Sequence, residues 1–346
     1  MGIVEFRRRV PRAVCIAAGS AVSLAFATAC GAQSINTTVG YYPGALLSLP
    51  AFIAQDQGFF KANGLDANLI SIPNGAAMTA AVASGSVQFG NNSYDNLTTA
   101  VAKGLPLKAV IGGTVKVPFA LVVRDGVSLP HLKDGYPRVI DDLIGKKWGV
   151  IGLGISTHFL SELLVSGSGH AAKDFTFIAV GLPSTARPAL KNKSIDTYFS
   201  VEPLPAIVAA KGEGTIALNL VKGQGPAQLK DLNYNGWMAT DRTVKNSPEV
   251  VNRFARANEQ AFCWYSNPKN LDAVVVILKK HVPVPDLTDD QYTTMIRDYL
   301  PTYGVNITDR SIKTWQDMLI AHGQIEKPMT RADLVAPSAP SDFKCP

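Results

Sequence analysis

The sequence is poor in the residues that carry covalent and metal chemistry. It holds five histidines and four cysteines in 346 residues. His131, His158, His170, His281 and His322 are nowhere spaced as H-x-x-x-H or H-x-x-E-H, so a zinc hydrolase lacks support. No G-x-S-x-G elbow is present, which removes a hydrolase nucleophile of that kind. Charged residues are only 17% of the chain, and no Lys/Arg block is interleaved with aromatics as a nucleic-acid surface would require. Beyond the amino-terminal segment, no uncharged apolar run approaches the length of a membrane span. There is no repeat of short fixed period. What remains is a globular composition, 47% hydrophobic, with no catalytic signature.

The amino terminus is where the composition is unusual. Arg7, Arg8, Arg9 and Arg12 precede an uncharged run over residues 13–29 that ends in Ala27-Thr28-Ala29. A basic start, a short apolar stretch and a small-x-small ending are the pattern of a secretory signal. Residues 1–29 are therefore expected to be a signal peptide, cleaved near Ala29 or Ala32, and the protein to be periplasmic. Cys30 offers an alternative, a lipid anchor at the first mature residue. A twin-arginine signal fits poorly because Val10-Pro11 follows the arginines. Export removes or modifies Cys15 and Cys30 and leaves Cys263 and Cys345, an even pair in an oxidising compartment. A disulfide between them would close a loop of about 80 residues, worth roughly 4.5 kcal/mol by chain entropy. It would pin the Pro-rich tail 336–346.

The mature length, about 315 residues, exceeds the usual size of one core, so two lobes are expected. Strands are predicted at 36–41, 67–72, 87–90 and 107–114, with helices at 49–63, 76–84 and 95–103. The alternation restarts with strands at 119–124, 147–151, 175–180, 195–199 and 215–220, and helices at 157–166, 186–192 and 204–211. Such alternation implies βαβ units and largely parallel sheet. From Pro248 the pattern turns helical: 248–266, 271–281, 288–300 and 311–321, with Ser247 as a candidate N-cap. Lobe 1 is expected over 33–118 and 239–346 and lobe 2 over 119–238, with two crossovers.

Four segments then fall into a known order. Gly58-Phe59-Phe60 closes an apolar helix that starts at Leu49, and Gly85-Ser86-Val87-Gln88-Phe89-Gly90 matches a G-x-x-D-F-G pattern with Gln88 at the acidic position. Asp142-Leu143-Ile144-Gly145-Lys146-Lys147 follows, and then the segment 195–201, which begins with the strand 195–199, runs into Glu202-Pro203. Over about 36–320 the chain resembles the nitrate/taurine/sulfonate-binding family of ABC-importer binding proteins, which includes relatives of thiamine-precursor synthases. The resemblance implies an α/β chain of the type II periplasmic-binding-protein fold, with ligand between two lobes and a permease of the inner membrane as partner.

Ligands of open α/β sheets sit outside the strand carboxyl ends, where helix N-termini suit an anion. Three junctions have that chemistry: Asn74-Gly75-Ala76, Asn92-Ser93 after the strand ending at Gly90, and Gly154 with Ser156 and Thr157. Asn and Ser there also cap helices, so each has a structural alternative. Tyr41, Tyr42 and Trp237 are candidate aromatic walls. Glu202 is either a helix cap or an acceptor for a ligand donor. Lys116 and Arg187 are candidate anion partners. The G-x-G at 152–154 lacks a third glycine and a ribose acid, so no dinucleotide site is expected. The thiamine-precursor synthases use a cysteine-rich motif and a sacrificial histidine, whereas Cys263 stands alone here.

The expectation is a monomeric extracytoplasmic substrate-binding protein, not an enzyme, without cofactor, metal or nucleic-acid partner. It would capture a small organic anion, a sulfonate or carboxylate and possibly aromatic, by hinge closure. A neutral nitrogenous ligand such as a pyrimidine, or a ligand-occupancy sensor, are the alternatives.

Overall fold

A computed structural model describes Gly2 and residues 34–346. The expected signal segment, Gly2 apart, and the anchor site at Cys30 lie outside the described residues. The first sheet is entered by β1 (Ile35–Tyr41), followed by α1 (Leu49–Asp56), α2 (Phe59–Ala62) and β2 (Leu65–Ser71). The predicted single helix over 49–63 is thus broken. Gly58, at φ +73°, takes the left-handed turn that only glycine adopts freely. Next come α3 (Gly75–Ser84), β3 (Phe89–Ser93), α4 (Tyr94–Ala102) and β4 (Leu107–Gly112).

The chain then crosses through residues 113–119 into β5 (Ala120–Arg124), β6 (Lys147–Val150), α5 (Ser156–Gly167) and β7 (Thr176–Ala179). It continues with α6 (Pro183–Lys191), β8 (Thr197–Ser200), α7 (Leu204–Lys211) and β9 (Gly214–Asn219). Residues 220–234 return it to β10 (Asn235–Thr240) in the first sheet. The boundary expected at 238/239 falls inside β10, which pairs along its length with first-sheet strands.

The sheets are ordered β2-β1-β3-β10-β4 and β7-β6-β8-β5-β9. In each, one strand that follows a crossover runs antiparallel to its neighbours: β10 between β3 and β4, and β5 between β8 and β9. This is the type II periplasmic-binding-protein fold. Because parallel strands need helical crossovers, α3 and α4 in one half and α5 and α6 in the other all start at strand carboxyl ends.

The remaining helices are α8 (Asp241–Asn246), α9 (Pro248–Tyr265), α10 (Leu271–His281), α11 (Asp289–Tyr299), α12 (Asp309–Ala321) and α13 (Arg331–Leu334). Pro248 opens α9, although the Ser247 side chain makes no cap hydrogen bond. Phe254 of α9 stacks on Phe89 of β3 at 4.0 Å, so the helix closes the outer face of the first sheet. The crossover is stitched to this helical segment: Val115 N–H donates to Thr302 O at 2.7 Å, and the Tyr299 hydroxyl to Pro118 O at 3.2 Å. Cys263 and Cys345 lie at disulfide distance, 2.09 Å between sulfurs. Among the described residues no helix is long and apolar enough to cross a membrane.

Candidate functional site

Between the two sheets lies a narrow cavity of about 30 Å³, room for a few waters at most. Its wall is made of strand ends: Ser93 closes β3, Ile151 follows β6, Val201 follows β8, and Asn235 opens the antiparallel β10. Four helices begin on it. Asn74 caps α3, Ser93 precedes α4, Ile155 precedes α5 and Leu182 precedes α6. Each of these ends presents a positive partial charge toward the same space, although the Tyr94 N–H at the start of α4 already donates to Tyr234 O and Pro183 opens α6 without an N–H.

Within the first half, the wall is a dense amide network. Asn74 Oδ1 accepts from the Ala77 N–H at 2.9 Å, so Asn74 both caps α3 and lines the cavity. Asn92 uses its whole side chain: Nδ2 donates to Gly75 O and Thr79 Oγ1, and Oδ1 accepts from Ser93 N, Asn96 Nδ2 and, at 3.4 Å, the Tyr42 hydroxyl. A Cβ on Gly75 would lie 2.4 Å from Asn96 Nδ2 and 3.0 Å from Asn92 Oδ1, so a larger residue here would have to displace those two amide ends. Asn91 reaches Leu47 O and accepts from Asn235 Nδ2, and Asn235 Oδ1 accepts from Thr114 Oγ1.

The second half contributes the start of α5. Gly154, at φ +71°, turns the chain so that Ser156 is the first helical residue rather than the cap. Thr157 Oγ1 accepts from Ile151 N–H at 3.1 Å and fixes the loop, while the Ser156 hydroxyl, 3% exposed, lies against the Asp95 carboxyl. His158 Nδ1 accepts from the Gly154 N–H, so this histidine also holds the loop. Phe119 forms an aromatic floor, stacked on Phe199 at 4.9 Å and edge-on to Tyr234 at 5.0 Å.

Seven of the residues singled out from sequence meet at the cavity: Tyr42, Asn74, Gly75, Asn92, Ser93, Ser156 and Thr157. Seven others do not line it. Tyr41 alternates to the other face of β1 and packs edge-on against Phe52 at 5.3 Å. Ala76 is exposed on α3, and Gly154 is exposed in its turn. Trp237 is fully buried and meets Phe254 edge-on at 5.6 Å, one of the core contacts on the outer face of the sheet. Glu202 faces a separate groove of about 880 Å³ along α7 and α11, where Oε2 accepts from the Ala206 N–H at 3.1 Å as a cap. Burial pushes its carboxyl up to about 7, with Asp298 adding to the shift. Lys116 lies in that groove too. Arg187 is committed to carboxylates, with Nε and Nη2 on Glu213 and Nη1 and Nη2 on Asp286.

A family model described as "NMT1/THI5 like" matches residues 48–270. The chain belongs to the NMT1/THI5-like family. It is 28% identical over 252 residues to a taurine-binding periplasmic protein of Escherichia coli, covering 69% of this chain and 72% of that one. A riboflavin-binding protein, RibY, of Chloroflexus aurantiacus is 23% identical over 312 residues, covering 86% and 83%. A 4-amino-5-hydroxymethyl-2-methylpyrimidine phosphate synthase of Saccharomyces cerevisiae is 25% identical over 221 residues, with 62% of each covered. Among solved structures, the alkanesulfonate-binding protein SsuA of Xanthomonas axonopodis pv. citri, bound to MOPS, superposes with a TM-score of 0.69 at 18% identity. The superposition covers 89% of this chain and 98% of that one.

The NMT1/THI5-like chain brings further residues to the cavity that its sequence does not advertise. Phe119 and Tyr234 end the two crossovers and Asn235 opens β10, and they meet at the strand ends because the chain passes twice between sheets. Asp95, in the first turn of α4, is 3% exposed and lies against the Ser93 and Ser156 hydroxyls. In the sequence it reads as an ordinary acid near a helix start. Among the described residues no cluster of His, Cys, Asp or Glu could hold a metal ion.

Proposed function

We propose that this protein is the extracytoplasmic substrate-binding component of an ABC importer, and that it holds a small organic anion in the cavity between its two sheets. The observation that carries this reading is the convergence of four helix N-termini on one largely uncharged, hydrogen-bonding space. Tyr42 and Phe119 give that space an apolar wall suited to a solute with an organic body. The binding proteins among its relatives support the same class of function. Tyr42, Asn74, Gly75, Asn92, Ser93, Ser156 and Thr157 are the proposed ligand-binding residues. A transmembrane permease is the proposed partner and a monomer the proposed working state.

The cavity in this conformation is too small for such a solute. Binding therefore requires the halves to part and reclose about residues 113–119 and 220–234, and the ligand would stabilise the closed state by touching both halves. A thermal-shift screen across sulfonates, carboxylates and pyrimidines tests the reading, because a ligand bound only by the folded state raises its melting temperature. A stabilising solute should bind at least about tenfold more weakly to Ser156→Ala, the loss of one hydrogen bond to a charged group. Unchanged affinity in calorimetry would remove α5 from the site.

A further inference from the structure

Five asparagines line the cavity, Asn74, Asn91, Asn92, Asn96 and Asn235, and none of the described residues lining it is charged. A solute oxygen on this side therefore meets carboxamides. Each carboxamide carries two N–H donors and one acceptor oxygen, so what it can offer depends on the bonds it has already made.

The orientation of these amides follows from partners whose roles are fixed. Asn92 Nδ2 faces Gly75 O, which can only accept, and Asn92 Oδ1 faces the Ser93 N–H, which can only donate. With a second bond from Nδ2 to Thr79 Oγ1, both Asn92 donors are spent. Asn96 must then present its Nδ2 to Asn92 Oδ1, at 3.0 Å, and this is the single hydrogen bond of its side chain among the described residues. One Asn96 N–H is left over. The same amide lies over the first residue of α3, since a Cβ built on Gly75 would be 2.4 Å from Asn96 Nδ2. Asn74 stands next to it in the chain, with Oδ1 spent on the Ala77 cap and Nδ2 without a partner among the described residues. Asn91 and Asn235, by contrast, are buried and bonded to each other, whereas Asn74 and Asn96 are only partly buried.

We propose that Asn96 of α4 is a further solute-contacting residue, and that its free amide N–H donates to an oxygen of the solute beside the Asn74 amide. This rests on the cavity being the solute site. A hydrogen bond to a charged oxygen is stronger than one to a neutral oxygen, so Asn96 faces the acidic end. Asn92, with no donor left to give, holds the Asn96 amide in place.

The test is calorimetry at pH 7.5 with ethanesulfonate, benzenesulfonate, propionate and benzoate, on the wild-type chain and on Asn96→Ala. Alanine favours the helix, and Asn92 Oδ1 keeps the Ser93 N–H and the Tyr42 hydroxyl. The free variant should therefore melt within about 4 °C of the wild type. Any of these probes that binds the wild type should bind Asn96→Ala at least about tenfold more weakly, as when a hydrogen bond to a charged group is lost. In the isotopically labelled protein, the Asn96 side-chain amide is assigned by its absence from the spectrum of the variant. Its proton resonance should move downfield and exchange more slowly when the probe is added, which a residue that only braces Asn92 would not show. Unchanged affinity in Asn96→Ala overturns the role of Asn96 and leaves the cavity as the solute site. So does weaker affinity with an Asn96 amide that does not respond to the probe. If none of the four probes binds, the cavity reading falls and the assignment of Asn96 falls with it.

Discussion

Asp95 is a residue whose burial opposes folding. In the unfolded chain its proton leaves near pH 3.8, whereas in the folded protein burial holds it to about pH 6. Between these values the folded state binds more protons, so its stability falls as pH rises through that window. Above pH 6 a constant penalty remains, on the order of 3 kcal/mol from the size of the shift. Asp95→Asn removes the ionisation, and its amide can donate to the neighbouring serine hydroxyls. The variant should therefore be more stable than wild type at pH 8, with the gain shrinking toward pH 4. Even the loss of a favourable helix-end charge, about 0.3–1 kcal/mol, leaves the sign unchanged. Denaturant titrations at both pH values read this directly, and a gain equal at pH 4 and pH 8 would contradict it. The sequence could not disclose the penalty, because an acid in a first helical turn is ordinarily solvated. Ser156 of α5, from the other half, together with Tyr42 and Tyr234, packs around Asp95.

The helix starts illustrate how far local pattern reaches. Asn74 and Gly75 are recognisable as a cap and an opening glycine from their order alone. What the order conceals is why the glycine is needed, since its crowding partners Asn92 and Asn96 belong to β3 and α4. Strand β3 was expected to stop at Gly90 but runs on through Asn91, Asn92 and Ser93. Pairing with β10, more than 140 residues away in sequence, satisfies the backbone of three residues whose intrinsic strand preference is weak. Gly75→Ala should therefore disturb more than α3. A methyl group there displaces the Asn96 amide and strains the Asn92 network, costing about 1–3 kcal/mol as overpacking does. Amide exchange should rise at Asn92 and Ser93 as well as in the first turn of α3. Exchange confined to α3 would mean that the network is not held by this contact.

At the scale of the whole molecule, the two α/β units and the helical carboxyl-terminal segment were legible from periodicity, because each unit restarts the same strand–helix alternation. The contacts that set the angle between the halves were not, since they join residues with no shared pattern. Arg187 appeared to be a candidate for an anionic ligand, yet it bridges the halves: Glu213 lies on its own side, before β9, and Asp286 lies in the loop between α10 and α11. The Asp286 contact is bidentate and only partly exposed, which favours a closed arrangement before any solute arrives. Asp286→Asn weakens the bridge and leaves Arg187 paired with Glu213, so the second half keeps its own structure. A partly exposed pair is worth about 1 kcal/mol at most, roughly a fivefold shift in the open–closed equilibrium. Without ligand, the variant should show a larger radius of gyration in small-angle scattering at low salt. The difference should fade near 1 M salt, where the screening length falls to about 3 Å and the wild-type bridge weakens as well. If the two chains scatter identically at low salt, the closed arrangement is held by the buried crossovers alone, and Arg187 has no part in gating the cavity.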